Sequence, residues 1–556
     1  MKKLLSMLLG LLAVFGLVSC GETGQPTGDQ PSVPATDLER FNGLTADASG
    51  SLDVMVWSGD GQYYEDLGHQ NWEAKDIKGQ NVAALYATAK EFNKLFPKVK
   101  INVYSKLDGP DDGGVSWEQE IENFKTEYGK YPDIWASNNV PRDISKGLVL
   151  NLTEFKDNAY YKEMNEGLLS MTNYYGFQGA LPQYILPWAV YVNRELAEEN
   201  NIQAPDPDWT WAQYTNFVKK AKPEDGFYGS WDAGMDIVRW ATIEAQMQHG
   251  TVEGAYIDID TSDFKNAIRN LPTQATTAVL NLQGRGDITS EDMVNLGNWW
   301  GYKAFADGKL LTYTGDPWML GSSNVKGTSN TVLSDDWDIY PCPSINGEDN
   351  FVSAVLDPVC IYNYYGKNAV GDENQQMKAK IAYAFTAFWT ADTRSWQARA
   401  DQQFAASVNA DGSAVLQSSL NDSFPIITGD KFDEQMEIWY STEGHAAYAN
   451  ADKFPGFAKV LEVWNAGQIN CISDKAHPVK YSDSNGTAID CFEYIRMYSN
   501  PDYIGNVTIF DETWAATYIA GIKEWNEKMN GYIDESYAIL RSALKDYYGF
   551  KDSDFN

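Results

Sequence analysis

The sequence is poor in histidine and in basic side chains, and both shortages exclude classes of function. Only 4 of the 556 residues are His, which leaves little room for His-based metal binding or acid–base catalysis. Lys and Arg together number 43 against 77 Asp and Glu, a formal net charge of −34. A charge of this sign and size repels the phosphates of nucleic acids. We therefore expect no nucleic-acid partner.

Motifs that signal catalysis or cofactor binding are also missing. The sequence contains no GxSxG, HExxH, P-loop or GxGxxG segment and no CxxC pair, so we expect no catalytic residue, no metal and no cofactor. Four cysteines in the body of the chain permit either disulfides or free thiols. Two arrangements are equally compatible with the sequence. Either Cys471 and Cys491 form a disulfide, or all four cysteines, including Cys342 and Cys360, are buried free thiols.

The N-terminus carries an export signal. Lys2 and Lys3 precede an apolar run over residues 4–18, which is shorter than the roughly 20 residues that span a membrane. The run ends in Leu17-Val18-Ser19-Cys20, which resembles the lipobox of bacterial lipoproteins and implies diacylation of Cys20; a plain secretory signal is the alternative. We expect a signal peptide over 1–19 and, from its Gly, Pro, Thr, Asp and Ser content, a lipid-anchored flexible tether over 20–50.

The body of the chain reads as α/β. Its length exceeds what one compact core usually holds, so at least two lobes are expected. Hydrophobic spacing predicts strands at 52–57, 100–104 and 132–135 that alternate with helices at 82–96 and 117–128, as in a lobe built on a parallel sheet. Further strands are predicted at 184–192, 337–340 and 352–362, with helices at 378–389 and within 513–544.

The order of these segments resembles the extracellular sugar- and oligosaccharide-binding proteins of ABC importers. The resemblance rests on short collinear pieces, among them Tyr131-Pro132-Asp133-Ile134-Trp135, Gly315-Asp316-Pro317-Trp318 and Trp337-Asp338-Ile339-Tyr340-Pro341-Cys342-Pro343. It implies a two-lobed, periplasmic-binding-protein-like fold of type II, each lobe a mixed, mostly parallel sheet flanked by helices, with the ligand in the interlobe cleft. It places lobe 1 at 51–155 and 343–392 and lobe 2 at 156–342 and 393–556, with about 400–510 as an elaboration.

The resemblance also implies a function. The lobes would close on a carbohydrate, such as an oligosaccharide, and deliver it to ABC permease subunits in the membrane. We expect a monomer without enzymatic activity, anchored by lipid on the extracytoplasmic face. A membrane-anchored glycoside hydrolase, which needs two carboxylates about 5–10 Å apart across a cleft, and a surface glycan-capture lipoprotein built from helical repeats are the alternatives. No local pattern supports the first, and the absence of repeats opposes the second.

Aromatic and amide side chains at strand ends are the candidate sugar contacts, because a pyranose has apolar C–H faces and a rim of hydroxyls. For any single Trp, packing in the core is the commoner role, and a turn cap is the alternative role of an Asn. The family resemblance points to Trp318 and Trp514 as stacking rings. The remaining candidates are Asn138 and Asn139 after the strand at 132–135; Asp60, Tyr63 and Tyr64 after the first strand; Tyr184 and Trp188; Trp231, Asp232 and Trp240; and Asp357.

Overall fold

The computed structural model describes residues 37–38, 40–57, 59–107, 113–183, 186–230, 237, 258–262, 264–269, 305, 308–315, 337–345, 349–367, 370–420, 423–442, 445–471, 481–482, 488–489 and 512–555. The strands in these ranges are β1 (Ser49–Trp57), β2 (Tyr63–Tyr64), β3 (Lys98–Lys106), β4 (Ile134–Ala136), β5 (Asn173–Tyr174), β6 (Phe177–Gln178), β7 (Leu186–Asn193), β8 (Thr312–Gly315), β9 (Trp337–Tyr340), β10 (Val352–Val355), β11 (Val359–Ile361), β12 (Gln403–Val408), β13 (Ala414–Ser418), β14 (Ile469–Cys471), β15 (Tyr481–Ser482) and β16 (Ala488–Ile489). The helices are α1 (Gln80–Leu95), α2 (Trp117–Tyr128), α3 (Val140–Ser145), α4 (Ala159–Glu163), α5 (Glu166–Ser170), α6 (Arg194–Glu199), α7 (Trp211–Val218), α8 (Glu373–Ala391), α9 (Thr393–Asp401), α10 (Asp430–Ser441), α11 (Pro455–Asn465) and α12 (Glu512–Tyr548).

The first sheet has the order β11-β4-β1-β3-β2. Strand β1 is parallel to both β3 and β4, whereas β2 and β11 run antiparallel at the two edges. Side chains of a strand alternate between faces, so Val54 and Val56 join the core cluster that includes α1 and α8, and Met55 joins a second cluster with Phe124 of α2. The three parallel strands therefore end together at one edge, between two layers of helices.

The second sheet has the order β14-β10-β7-β8, with β9 also paired to β7. Strands β8, β9 and β10 are antiparallel to β7, and β14 is parallel to β10. Helix α11 is joined to this sheet because the backbone N–H groups of Gly456 and Phe457 donate to the buried Asp338 carboxylate at 2.8 and 3.0 Å. The fold is therefore α/β with two mixed sheets.

Two neighbouring antiparallel segments carry the chain from the first sheet to the second and back, and the described strands show a third passage between β11 and β14. Leu181 and Val359 exchange backbone hydrogen bonds of 2.8 and 3.0 Å, and the Asp357 N–H donates to the Gln183 carbonyl at 3.0 Å. The predicted strand at 352–362 is therefore two strands, β10 in the second sheet and β11 in the first, separated at Pro358, which cannot donate to a ladder. These pairings put the crossings near 181–186 and 355–359, rather than at 155/156 and 342/343.

Residues that follow α8 also lie beside the first sheet, although the sequence-based division assigns 393 onward to lobe 2. The Ala405 N–H donates to the Ile77 carbonyl at 3.0 Å, and the hydroxyls of Thr88 and Ser395 are 3.0 Å apart. Gln435 of α10 donates to the Ala391 carbonyl at 2.9 Å. The stretch predicted as an elaboration is therefore divided. Its first part packs on α1 and α8, whereas α11 packs on the second sheet.

The prediction of a flexible tether up to residue 50 is wrong from Asp37 onward. Phe41 is fully buried, with its ring centroid 5.1 Å from Phe96 and 5.8 Å from Tyr160. Arg40 donates to Glu163 at 2.8 Å, and Asp37 pairs with Arg394 at 2.8 Å. The amino-acid composition of the segment is polar and rich in Gly and Pro, so it does not reveal these few anchoring side chains. The rest of the predicted tether lies outside the described residues.

The C-terminal helix α12 is a single element of 37 residues. Its C-terminal half packs on α3, and the Tyr548 ring lies 4.6 Å from that of Phe177. In the described part of the chain, no helix has the combined length and apolarity needed to cross a membrane. Cys342 and Cys360 are buried free thiols whose pKa burial raises; Cys491 lies outside the described residues, so the possible Cys471–Cys491 bridge stays a prediction.

Candidate functional site

A cavity of 360 Å³ lies at the carboxyl edge of the first sheet. The last residues of its three parallel strands, Trp57 of β1, Lys106 of β3 and Ala136 of β4, all line it. Parallel strands present their carboxyl ends to the same edge, which is where open α/β folds bind ligands. The volume is in the range of small-molecule pockets. Its other lining residues are Trp117, Ser137, Asn138 and Asp357.

Two indole rings form the apolar part of the cavity. Trp57 closes β1 and leaves 41% of its surface exposed. Trp117 is the first residue of α2, whose start is fixed by the Ser116 hydroxyl, which accepts from the Gln119 N–H at 3.2 Å. Because both rings are anchored at element ends, they are held in place and yet reach the cavity. Such surfaces suit the flat, apolar face of a cyclic solute.

The last residue of β3 is a lysine that lies over one of these rings. Lys106 is only 2% exposed, and its ammonium group lies 5.6 Å from the centre of the Trp117 ring. The same group donates to the Leu107 carbonyl at 2.6 Å. An ammonium group has three donors and no acceptor, so Lys106 adds hydrogen-bond donors and a positive charge to the cavity.

The loop after β4 supplies the polar wall. Asn138 is half-buried and lines the cavity, and its Oδ1 accepts from Arg142 at 2.9 Å. Asn139 is 1% exposed, and its Oδ1 accepts from the Arg142 N–H at 2.8 Å, which makes it the N-cap of α3. Only Asn138 of this predicted pair therefore lines the cavity; Asn139 takes the alternative capping role.

Asp357 lies on the second crossing between the sheets and lines the same cavity. This position brings a carboxylate from the interlobe segment next to residues of the first sheet. Trp188 is half-buried and lies in β7, where it pairs with Ser353 of β10. It is not among the residues that line this cavity.

The predicted cluster of Asp60, Tyr63 and Tyr64 does not line the cavity. Tyr63 donates to the buried Asp53 at 2.5 Å and stacks on Tyr128 with centroids 4.9 Å apart. Burial and this bond to Asp53 raise the pKa of the Tyr63 hydroxyl. Tyr64 donates to Asp60. These side chains are committed to each other and to the sheet, because β2 folds back as an edge strand instead of leaving an open loop.

Five predicted residues, Tyr184, Trp231, Asp232, Trp240 and Trp318, lie outside the described residues. Trp514 lies in the first turn of α12, but its side chain is outside the described part. Sequence reasoning missed four lining residues. These are Trp57, Lys106, Trp117 and Ser137. The signal in the sequence is their position: each is the last residue of a strand, the first of a helix or the first after a strand, and all lie at the carboxyl edge of the sheet.

More than half of the chain matches the profile of a known protein family. The profile described as bacterial extracellular solute-binding protein matches residues 87–392, more than half of the chain. The chain belongs to this family. Its members are extracellular binding proteins, and the chain is accordingly one that acts outside the cytoplasm by capturing a solute.

Solved structures of low sequence identity share the fold. An ABC substrate-binding protein from Listeria monocytogenes in complex with cycloalternan has a TM-score of 0.50 at 14% identity, covering 87% of this chain and 98% of that one. An extracellular solute-binding protein of family 1 from Alicyclobacillus acidocaldarius has a TM-score of 0.51 at 12% identity, covering 88% and 99%. The predicted type II periplasmic-binding-protein fold is confirmed. Comparison with curated proteins gives no match.

Proposed function

We propose that this solute-binding protein is the substrate-binding lipoprotein of an ABC importer and captures a carbohydrate, such as an oligosaccharide, for a membrane permease. One observation carries the proposal: the indoles of Trp57 and Trp117 line a cavity that also has Asn138, Lys106 and Asp357 on its wall. Indole faces suit the C–H faces of a sugar, and the polar groups suit its hydroxyls. The Listeria protein of the same fold is in complex with a cyclic carbohydrate, which favours this ligand class.

The position of the cavity supports capture by closure. Asp357 belongs to one of the antiparallel segments that join the sheets, and the other lining residues belong to the first sheet, to the loop after β4 or to α2. A solute held there would contact both a lobe and the hinge, so binding energy could favour the closed arrangement. The permease would recognise that arrangement. We further propose a monomer, anchored through diacylated Cys20 on the extracytoplasmic face.

Ligand screening tests the proposal. Thermal shifts with mono- and oligosaccharides should reveal a sugar that raises Tm, because binding to the native state adds about 2.7 kcal/mol of stability at a ligand concentration of 100 Kd. Isothermal titration then gives the affinity. The same incubations analysed by chromatography test the hydrolase alternative, for which the described lining of the cavity offers a single carboxylate, Asp357. Released product, or no shift with any glycan, would contradict the proposal.

A further inference from the structure

A buried carboxylate lies directly behind the polar wall of the cavity. Asp143 is 1% exposed, and its Oδ2 accepts from Trp135 Nε1 at 3.0 Å and from the Ser137 hydroxyl at 2.7 Å. Its Oδ1 accepts from Arg142 Nε at 2.8 Å and pairs with Arg142 Nη2 at 2.7 Å. An ionised carboxylate has about four acceptor sites, so three neighbouring side chains occupy nearly all of its capacity.

The chemistry of these partners fixes the direction of each hydrogen bond. A carboxylate only accepts, so the Ser137 hydroxyl must donate to Asp143 and keeps its oxygen as an acceptor. That oxygen accepts from the Asn139 N–H at 3.1 Å and is also hydrogen-bonded with the buried Cys360 thiol, so the bonds of Ser137 lie within the protein. A guanidinium has no acceptor, so the group of Asn138 that meets Arg142 at 2.9 Å must be its carbonyl oxygen. The amide nitrogen of Asn138 is thereby the polar group left for the cavity.

We propose that Asp143 is a positioning residue that fixes the hydrogen-bond polarity of the cavity wall. It holds Ser137 directly and Asn138 through Arg142, so that a solute meets an amide donor at Asn138. The solute group opposite Asn138 is therefore an acceptor, such as a ring oxygen or the lone pair of a hydroxyl. This specificity rests on the proposed function, whereas the positioning itself is a property of the ligand-free protein.

Side-chain amide spectroscopy of the full exported chain tests the positioning without any ligand. In protein labelled with [15N]asparagine, the Asn138 NH₂ pair is identified by its loss in Asn138→Asp. Asp143→Asn removes the ionic partner of Arg142, and we expect both resonances of the Asn138 pair to change chemical shift, because the carbonyl oxygen of Asn138 loses its fixed guanidinium donor. Resonances that superimpose on those of the wild type would overturn the proposal.

A matched control separates positioning from general loss of stability. Asp392 is also a buried carboxylate, and it holds Tyr160 at 2.5 Å and Arg394 at 2.8 Å. Asp392→Asn should lower Tm and leave the Asn138 pair in place. Should Asp143→Asn not fold, Arg142→Lys replaces it: the shorter reach of a lysine breaks the bridge to Asn138 while Asp143 stays paired. The chemical shifts of the Asn138 NH₂ pair should then change, and that of the Trp135 indole N–H should not. Unchanged Asn138 shifts would contradict the proposal that Asp143 acts on Asn138 through Arg142.

Binding measurements extend the test to specificity, with maltotriose as the probe. Asn138→Ala and Asp143→Asn should each weaken binding about tenfold, the usual cost of one lost hydrogen bond to a buried group, and Asp392→Asn should not change it. A loss in Asp143→Asn alone would overturn the specificity role. Failure of the wild type to bind any glycan falls on the proposed function, because the amide resonances decide the positioning separately.

Discussion

Trp57 combines an end-of-strand position with 41% exposure in the wall of the cavity. Trp57→Ala should therefore weaken sugar binding about tenfold, since an aromatic contact of this kind contributes about 0.5–1.5 kcal/mol beyond area burial, and Tm should change little. Trp72→Ala is the matched control, because Trp72 stacks on Tyr86 at 5.1 Å and does not line the cavity. Calorimetric titration measures the affinity, and thermal melts measure Tm. A lower Tm with unchanged affinity in Trp57→Ala would mean that Trp57 serves packing instead.

His445 is a second residue whose surroundings allow a prediction. Its ring stacks on Trp439 at 3.7 Å, it is fully buried, and burial lowers its pKa to about 3. The unfolded chain has a His pKa of about 6.5, so between these values the unfolded state binds more protons. The stability due to neutral His445 is fully present above the unfolded pKa and is lost as pH falls from about 6.5 towards 3, by up to about 1.4 kcal/mol per pH unit.

His445→Phe keeps a ring on Trp439 and removes the titration. Urea unfolding at pH 7.5, 6.5, 5.5 and 4.5 should show the wild type losing free energy of unfolding relative to the variant as pH falls. Parallel curves for the two proteins would contradict a buried neutral imidazole.

The N-terminal segment that includes Phe41 is part of the fold at the scale of whole elements. Phe41→Ala should lower the free energy of unfolding by about 3–5 kcal/mol, the usual cost of removing a buried Phe. Glu73→Ala is the control, because Glu73 pairs with Lys75 on the surface and exposed pairs contribute little. Chemical denaturation compares the two variants. Equal stabilities would mean that residues 37–50 behave as the flexible tether that their composition predicts.

Elements bounded by local signals could be predicted from the sequence, whereas their partners could not. Helix α2 has its predicted bounds because Ser116 caps its start and Gly129, with φ of 71°, ends it. Strand β9 also matches its prediction. The burial of Phe41 and the division of 352–362 between two sheets depend on contacts far along the chain. The cavity shows the same limit: Asn138 and Asp357 followed from strand ends, but the exposure of Trp57 depends on how elements assemble.

At the scale of the whole molecule, two neighbouring antiparallel segments join the sheets, and in the described residues a third passage runs between β11 and β14. Such a connection suits hinge closure, and we expect small-angle scattering to show a decrease in radius of gyration when a sugar identified by screening is added. Trp57→Ala at the same sugar concentration should contract less, because less protein is bound. Saturating binding without contraction would contradict closure as the capture step.

The docking of Phe41 places the described N-terminal residues near the start of β3. Phe96, which Phe41 contacts, comes just before β3, and Lys98 at the start of that strand pairs with Asp47 at 2.7 Å. The cavity lies at the other end of the same strand, about 26 Å away for eight steps of 3.3 Å. The proposed lipid-anchored segment would join the body near Asp37, at the end of β3 opposite the cavity. Membrane attachment and solute entry would then use different surfaces of the protein.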